Sequence, residues 1–253
     1  MKKQTYTYEI SIRENDERTK LNCDETFFSD VAPYYGENNK KTFSRSPIYD
    51  FSSDDESTTD GVFNEISLNG LEYGINNFST KYYGEKIKKD ASLAILKLLL
   101  KGGTSSEHAF KSAPFIFYDI DVKNKVDNEG VLKQENLHLF YDMDLNNEVF
   151  NFMKSISILT FRSSSKKGMA GILYVPFLSG QFIINNRSEH IRVGKEINTF
   201  INNKIGVPCE IQFDQAQNKF RQLRYIPAQK NKIKLNPDYI EFHVEKIVSE
   251  IEN

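Results

Sequence analysis

The run APFIFYDID (113–121) decides the fold. Its centre, Phe115 to Tyr118, is aromatic and β-branched, which favours an extended strand, and two acids close it. Residues two apart in a strand share a face, so Asp119 and Asp121 project together, roughly 7 Å apart by strand rise, while Ile120 turns to the core. Two carboxylates side by side repel unless something positive lies between them. A hard divalent cation with oxygen ligands is the usual answer. Strands also end in Asp for ordinary surface reasons, so the pair alone does not define a site.

Moving towards the C-terminus, SISILTFRSSS (155–165) and GILYVPFL (171–178) read as two further strands, PCEIQFD (208–214) as a fourth and LRYIP (223–227) as a fifth. Between them, residues 189–205 carry a helical period with Ile197, Phe200, Ile201 and Ile205 on one face and Gly206 after it. Alternating strands and helices predict an α/β or α+β sheet with helices on one face. LHLFYDMD (137–144) repeats the acidic pattern with Asp142 and Asp144, but it precedes a helical stripe of Val149, Phe152, Met153 and Ile156. Asp144 or a neighbouring Asn therefore suits a helix N-cap better than a metal ligand. The tail NPDYIEFHVEKIVSEIEN (236–253) reads as a closing helix.

Towards the N-terminus, Tyr6, Tyr8, Ile10 and Ile12 alternate as in a half-buried strand. A long polar region over 13–60 follows, including the acidic run DFSSDDESTTDG (50–61). Asp54, Asp55, Glu56 and Asp60 do not have calcium-loop spacing, and the run reads as a solvated loop. KKDASLAILKLLLK (88–101), stopped by Gly102 and Gly103, reads as a helix. The expected organisation is an N-terminal accessory region over 1–109, with a strand, a polar loop and a helix, and a core over 110–253 that ends in a helix.

A formal net charge of −2 removes non-specific attraction to nucleic acid, so any such contact must rest on a local patch. Cys23 and Cys209 have no metal-ligand or disulfide spacing. The apolar run Leu93–Leu100 is too short to span a bilayer, and MKKQTYTYEIS has no signal-peptide apolar region. A soluble, cytoplasmic protein with no membrane partner is expected. There is no P-loop or G-x-G-x-x-G, and His108, His138, His190 and His243 are isolated.

Two more segments carry chemistry. In FRSSSKKGMAGILYVP (161–176) a loop of Ser163, Ser164, Ser165, Lys166, Lys167 and Gly168 joins two strands. Hydroxyls, backbone amides and two ammonium groups are what a triphosphate needs. In IQFD (211–214) Asp214 ends a strand, and KFRQLRYIP (219–227) then supplies Arg221 and Arg224 for phosphate. Lys230, Lys232 and Lys234 form a basic stripe that suits either a nucleic-acid backbone or solvent.

FIFYDID, SSKKGMAG and IQFD, in this order, resemble the three motifs of the archaeo-eukaryotic primase (primase–polymerase) superfamily. The best-fitting subgroup is the VirE N-terminal-type primase-like domain, found in replication proteins of phages and mobile elements. The likeness covers roughly residues 110–237, with LRYIPAQ and LNP similar to the family's Arg–aromatic segment and the step after it. It implies an α+β fold: a palm with a mixed, mainly antiparallel, RRM-like sheet packed by helices, plus an N-terminal accessory lobe. It also implies metal-dependent nucleotidyl transfer in DNA replication. On this resemblance Asp119, Asp121 and Asp214 hold two Mg²⁺ or Mn²⁺ ions. Ser164, Ser165, Lys166, Lys167 and Gly168 grip the incoming nucleoside triphosphate, with Arg221 and Arg224 on phosphate or on a single-stranded template. A helicase or other replication partner is implied by the family alone.

The chain departs from the pattern at two positions. Ala170 stands where the family usually has His or Lys, and Gln222 stands where Arg is expected. A catalytically decayed module that binds nucleotide or single-stranded nucleic acid is the alternative these departures raise. A nuclease on the same acids is a weaker one, since the lysine loop suits a triphosphate better than a hydrolytic water.

Overall fold

The computed structural model describes residues 3–14, 20–30, 32–35, 41–44, 64–77, 93–101, 106–122, 148–162, 168–205, 211–213, 224–226, 229 and 231–251. Its architecture is α+β. The run at 115–122 forms an inner strand, β9 (Phe115–Val122), of a six-stranded sheet. β9 pairs antiparallel with β11 (Gly168–Tyr174) on one side and β12 (Ile211–Phe213) on the other. The outer edge of β11 is shared. Its residues 169–172 pair with β10 (Leu159–Arg162), and Tyr174 makes the one parallel step, to Glu241 of β14 (Glu241–Ile251). β14 in turn pairs along its whole length with β1 (Lys3–Arg13).

Both faces of β9 are covered, which explains why its residues read as a continuous apolar run rather than an alternating one. Ile116, Tyr118 and Ile120 pack with Met169 and Leu173 against three helices. These are α2 (Glu148–Ile156), α3 (Gln181–Asn185) and α4 (Arg187–Ile205), which bring Met153, Ile183, Val193 and Ile197 among others. On the opposite face Phe115, Phe117, Phe161, Ala170 and Ile172 meet a second sheet. That sheet runs β13 (Arg224–Ile226), β6 (Leu93–Leu96), β2 (Thr26–Asp30), β5 (Asn64–Ser67). Phe28 of β2 stacks on Phe115 at 5.3 Å between centroids, which fixes the two sheets together by aromatic contact. The layers are thus helices, six-stranded sheet, four-stranded sheet. Two smaller ladders complete the fold: β3 (Ala32–Tyr35) with β4 (Lys41–Ser44), and β7 (Leu98–Leu100) with β8 (Ala109–Ser112). Helix α1 (Leu68–Asn77) follows β5 directly.

Two expectations are corrected. Residues 93–100 are not a helix but the strands β6 and β7, broken at Lys97. Residues 94–100 are all buried, and a short apolar run enclosed on every side has no polar face by which helix and strand could be told apart. The tail is likewise not a helix: 241–251 is the strand β14, held by an eleven-residue register against β1, from Lys3↔Ile251 to Arg13↔Glu241. Helix formers such as Glu and Lys yield there to a partner nearly the whole chain away, because cross-strand pairing outweighs local propensity. The polar region over 13–60 also holds β2, whose Phe27, Phe28 and Asp30 are buried. The acidic run 50–61 lies outside the described residues, as do Asp142 and Asp144. Among the described residues no helix is long and apolar enough to cross a membrane.

The sheets also bear on the division at 109/110. β1 belongs to the sheet of β9 and β14, and β13 belongs to the sheet of β2, β5 and β6, so each of the two large sheets draws strands from both sides of that point.

Candidate functional site around Asp119

Strand alternation puts Asp119 on the face of β9 that also carries Phe115 and Phe117, towards the second sheet. Its cross-strand partner on β11 is Ala170, and the partner of Ala170 on β10 is Phe161. These three residues form a row across one face of the sheet. Arg224, the first residue of β13, reaches over that row from the opposing sheet. Its Nη1 donates to Asp119 Oδ2 at 2.6 Å, and its guanidinium carbon lies 5.4 Å from the Phe161 ring centroid. Arg224 thus contacts the two residues that flank Ala170 in this row.

The ion pair is sheltered: the side chains are 5% exposed for Arg224 and 15% for Asp119. Asp119 Oδ1 is buried and has no hydrogen-bond partner among the described residues, and neither has Arg224 Nε. One carboxylate oxygen is thus committed to a guanidinium. The other is oriented by it and unpartnered among the described residues, as a ligand to a cation or an acceptor for a polar hydrogen would be. Among the described residues no group of three or more His, Cys, Asp or Glu is placed to hold a metal ion.

The register brings the three sequence motifs to adjacent strands. Asp121 has Gly168 as its partner on β11 and Gln212 on β12, while Ile120 is paired with Met169 and Phe213. β10 and β11 form the expected strand–loop–strand unit, from Leu159↔Ile172 to Arg162↔Met169, and residues 163–167 join them. Ser164, Ser165, Lys166 and Lys167 lie outside the described residues, as do Asp214, Arg221 and Gln222. Of Asp121 and Gly168 the backbone alone is described. Asp214 directly follows Phe213 in the chain, and Phe213 lies across from Ile120.

Beneath Asp119, Gly171 permits a close approach. A Cβ there would run into the Leu159 carbonyl oxygen and the Tyr118 ring, whose hydroxyl accepts from Ser157 Oγ at 3.0 Å. Burial pushes the Tyr118 phenol well above its usual range. Nearby, Lys97 lies in the interior with its ammonium 5.5 Å from the Phe117 ring centroid, and burial pushes it down to about 7. Sequence patterning assigned Lys97 only to an apolar helix. No local signal marked it, since a lysine within an apolar run ordinarily reaches solvent. No protein-family model, no curated protein and no solved structure matches the chain.

Proposed function

We propose that the chain is a primase–polymerase-like nucleotidyltransferase of the archaeo-eukaryotic primase type, with its reaction centre at the Asp119 end of β9. What supports this reading is adjacency. The strand bearing Asp119 and Asp121, the strand that opens at Gly168 after the Ser-Lys loop, and the strand that leads into Asp214 are hydrogen-bonded neighbours, although nearly a hundred residues separate the first from the last. Motifs unrelated in function would have no reason to meet on three consecutive strands. Asp119, Asp121 and Asp214 would hold two Mg²⁺ or Mn²⁺ ions, which supply the Lewis acidity for attack of a 3′ hydroxyl on the α-phosphate with pyrophosphate leaving. Ser164, Ser165, Lys166 and Lys167 donate to the triphosphate, and Arg224 orients the Asp119 carboxylate. The setting is replication of a phage or mobile element. The test is primer synthesis from labelled nucleotides on a single-stranded template with Mn²⁺. Product is expected from the parent protein and none above background from Asp119→Ala combined with Asp121→Ala. Synthesis that survives the double substitution removes the proposal.

A second reading has its own observation. The Arg224 guanidinium already neutralises Asp119, and Ala170, at its side, offers no donor to a phosphate. This arrangement suits a palm that has given up catalysis and retains binding of nucleotide or single-stranded nucleic acid. Under that reading the same assay yields no product, while a labelled nucleotide still binds.

A further inference from the structure

A cleft lies beside β10, at the strand end that leads into the Ser-Lys loop. Its walls are Lys154 from the last turn of α2, Thr160, Phe161 and Arg162 of β10, Met169 of β11, and the segment Gln229 and 231–234. Among the described residues four cations line it, Lys154, Arg162, Lys232 and Lys234, and no carboxylate does. In a chain of net charge −2 that is a strong local concentration. Lys154, Lys232 and Lys234 are exposed, and none has an ion-pair partner among the described residues.

The cleft is built rather than incidental. The Gln229 carboxamide mimics a further strand on β10, accepting from Arg162 N at 2.8 Å and donating to Arg162 O at 3.4 Å. Asn76 does the same for Ile233, with both bonds at 2.9 Å, and Glu72 accepts from Leu235 N at 2.6 Å. Asn236 then donates to the carbonyls of Lys154, Ser155 and Ser157, tying the end of α2 to the segment. Held extended in this way, the segment alternates: Ile233 and Leu235 pack on the core between the sheets, and Lys232 and Lys234 are turned outward. Their backbones are roughly 7 Å apart by strand rise, a spacing commensurate with successive phosphates of an extended nucleic-acid strand. The cleft measures about 250 Å³ and is partly open to solvent. That is less than the ~300–1,000 Å³ usual for sites that enclose a small molecule, and it favours a chain passing through over a nucleotide held within.

We infer that this cleft is a track for the phosphate backbone of single-stranded nucleic acid, with Lys154, Arg162, Lys232 and Lys234 as the phosphate contacts. It rests on the reading above and gives a place to the single-stranded partner named there; its residues are separate from the acids and it requires no metal. By strand spacing it lies roughly 10 Å from Asp119, two strands away, so a strand lying in it would pass close to the acid end of β9.

The experiment is fluorescence anisotropy of a labelled single-stranded oligonucleotide with the full chain, in chelator and without nucleotides, over a salt series. The triple variant Lys154→Ala, Lys232→Ala, Lys234→Ala is expected to bind at least about tenfold more weakly, with a salt slope shallower by about 2, from roughly 0.7 per lost phosphate contact. A charge-matched variant at the exposed lysines Lys20, Lys101 and Lys195 is expected to bind as the parent does. Equal losses in the two triple variants, or none in the first, would overturn the inference. So would binding of free triphosphate at the cleft with no oligonucleotide binding. Because no metal or nucleotide is present, failure of primer synthesis leaves this result readable on its own.

Discussion

Asp119 was legible in the sequence as an acid on a strand end, but its partner was not. Arg224 follows it by 105 positions and was expected to contact phosphate, whereas it lies against the carboxylate in a sheltered pair. Removing one member of such a pair leaves a buried charge uncompensated, which typically costs about 3–5 kcal/mol, while replacing both with apolar groups can be nearly neutral. Arg224→Met is therefore expected to lower stability in urea by about 3 kcal/mol or more, and Asp119→Leu combined with Arg224→Met to recover most of it. A cost below about 1 kcal/mol for the single substitution would mean that water already solvates the pair. Ala170 belongs to the same group of side chains. Read in the sequence as a missing phosphate donor, it stands between Asp119 and Phe161, the two residues the guanidinium contacts.

The strands β9, β10 and β11 were readable because their aromatic and β-branched runs are bounded by loops, and α2 and α4 because their apolar stripes keep a helical period. Gly171 inside β11 had no such signal, as a glycine within a strand ordinarily weakens it. The structure supplies the reason: β10 and the Tyr118 ring approach the backbone at that point more closely than any side chain allows. Gly171→Ala pits a new methyl against the Leu159 carbonyl, which cannot move without breaking the β10–β11 ladder. The variant is expected to lose on the order of 3 kcal/mol, at the upper end of overpacking costs, measured by urea denaturation. Stability within about 0.5 kcal/mol of the parent would show that β10 shifts freely, and the same slack would weaken the case for a preformed cleft along its edge.

Each of the two large sheets needs strands from both ends of the chain. β14 pairs with β1 across eleven positions, and β13 is placed beside β6 while its first residue binds β9. Fragments divided at 109/110 would each expose a sheet edge and half of the core between the sheets. Expressed separately, residues 1–109 and 110–253 are expected to lack cooperative unfolding, and their mixture to regain it by circular dichroism and near-ultraviolet signal. A cooperative, native-like transition from 110–253 alone would refute this interdependence. It would also restore the N-terminal region to the status of an accessory lobe.

The amino-acid sequence by itself determined the local matters: which runs are apolar, where acids and lysines punctuate them, and the order of the three motifs. Those follow from periodicity and composition, which act over a few residues. Only the tertiary structure decided that 93–100 and 241–251 are strands, that Arg224 pairs with Asp119, and that Lys154 and Arg162 share a cleft with Lys232 and Lys234. Strand pairing, ion pairing and burial are contacts between distant parts of the chain. Their energies depend on what lies across the gap, which no window of neighbouring residues contains.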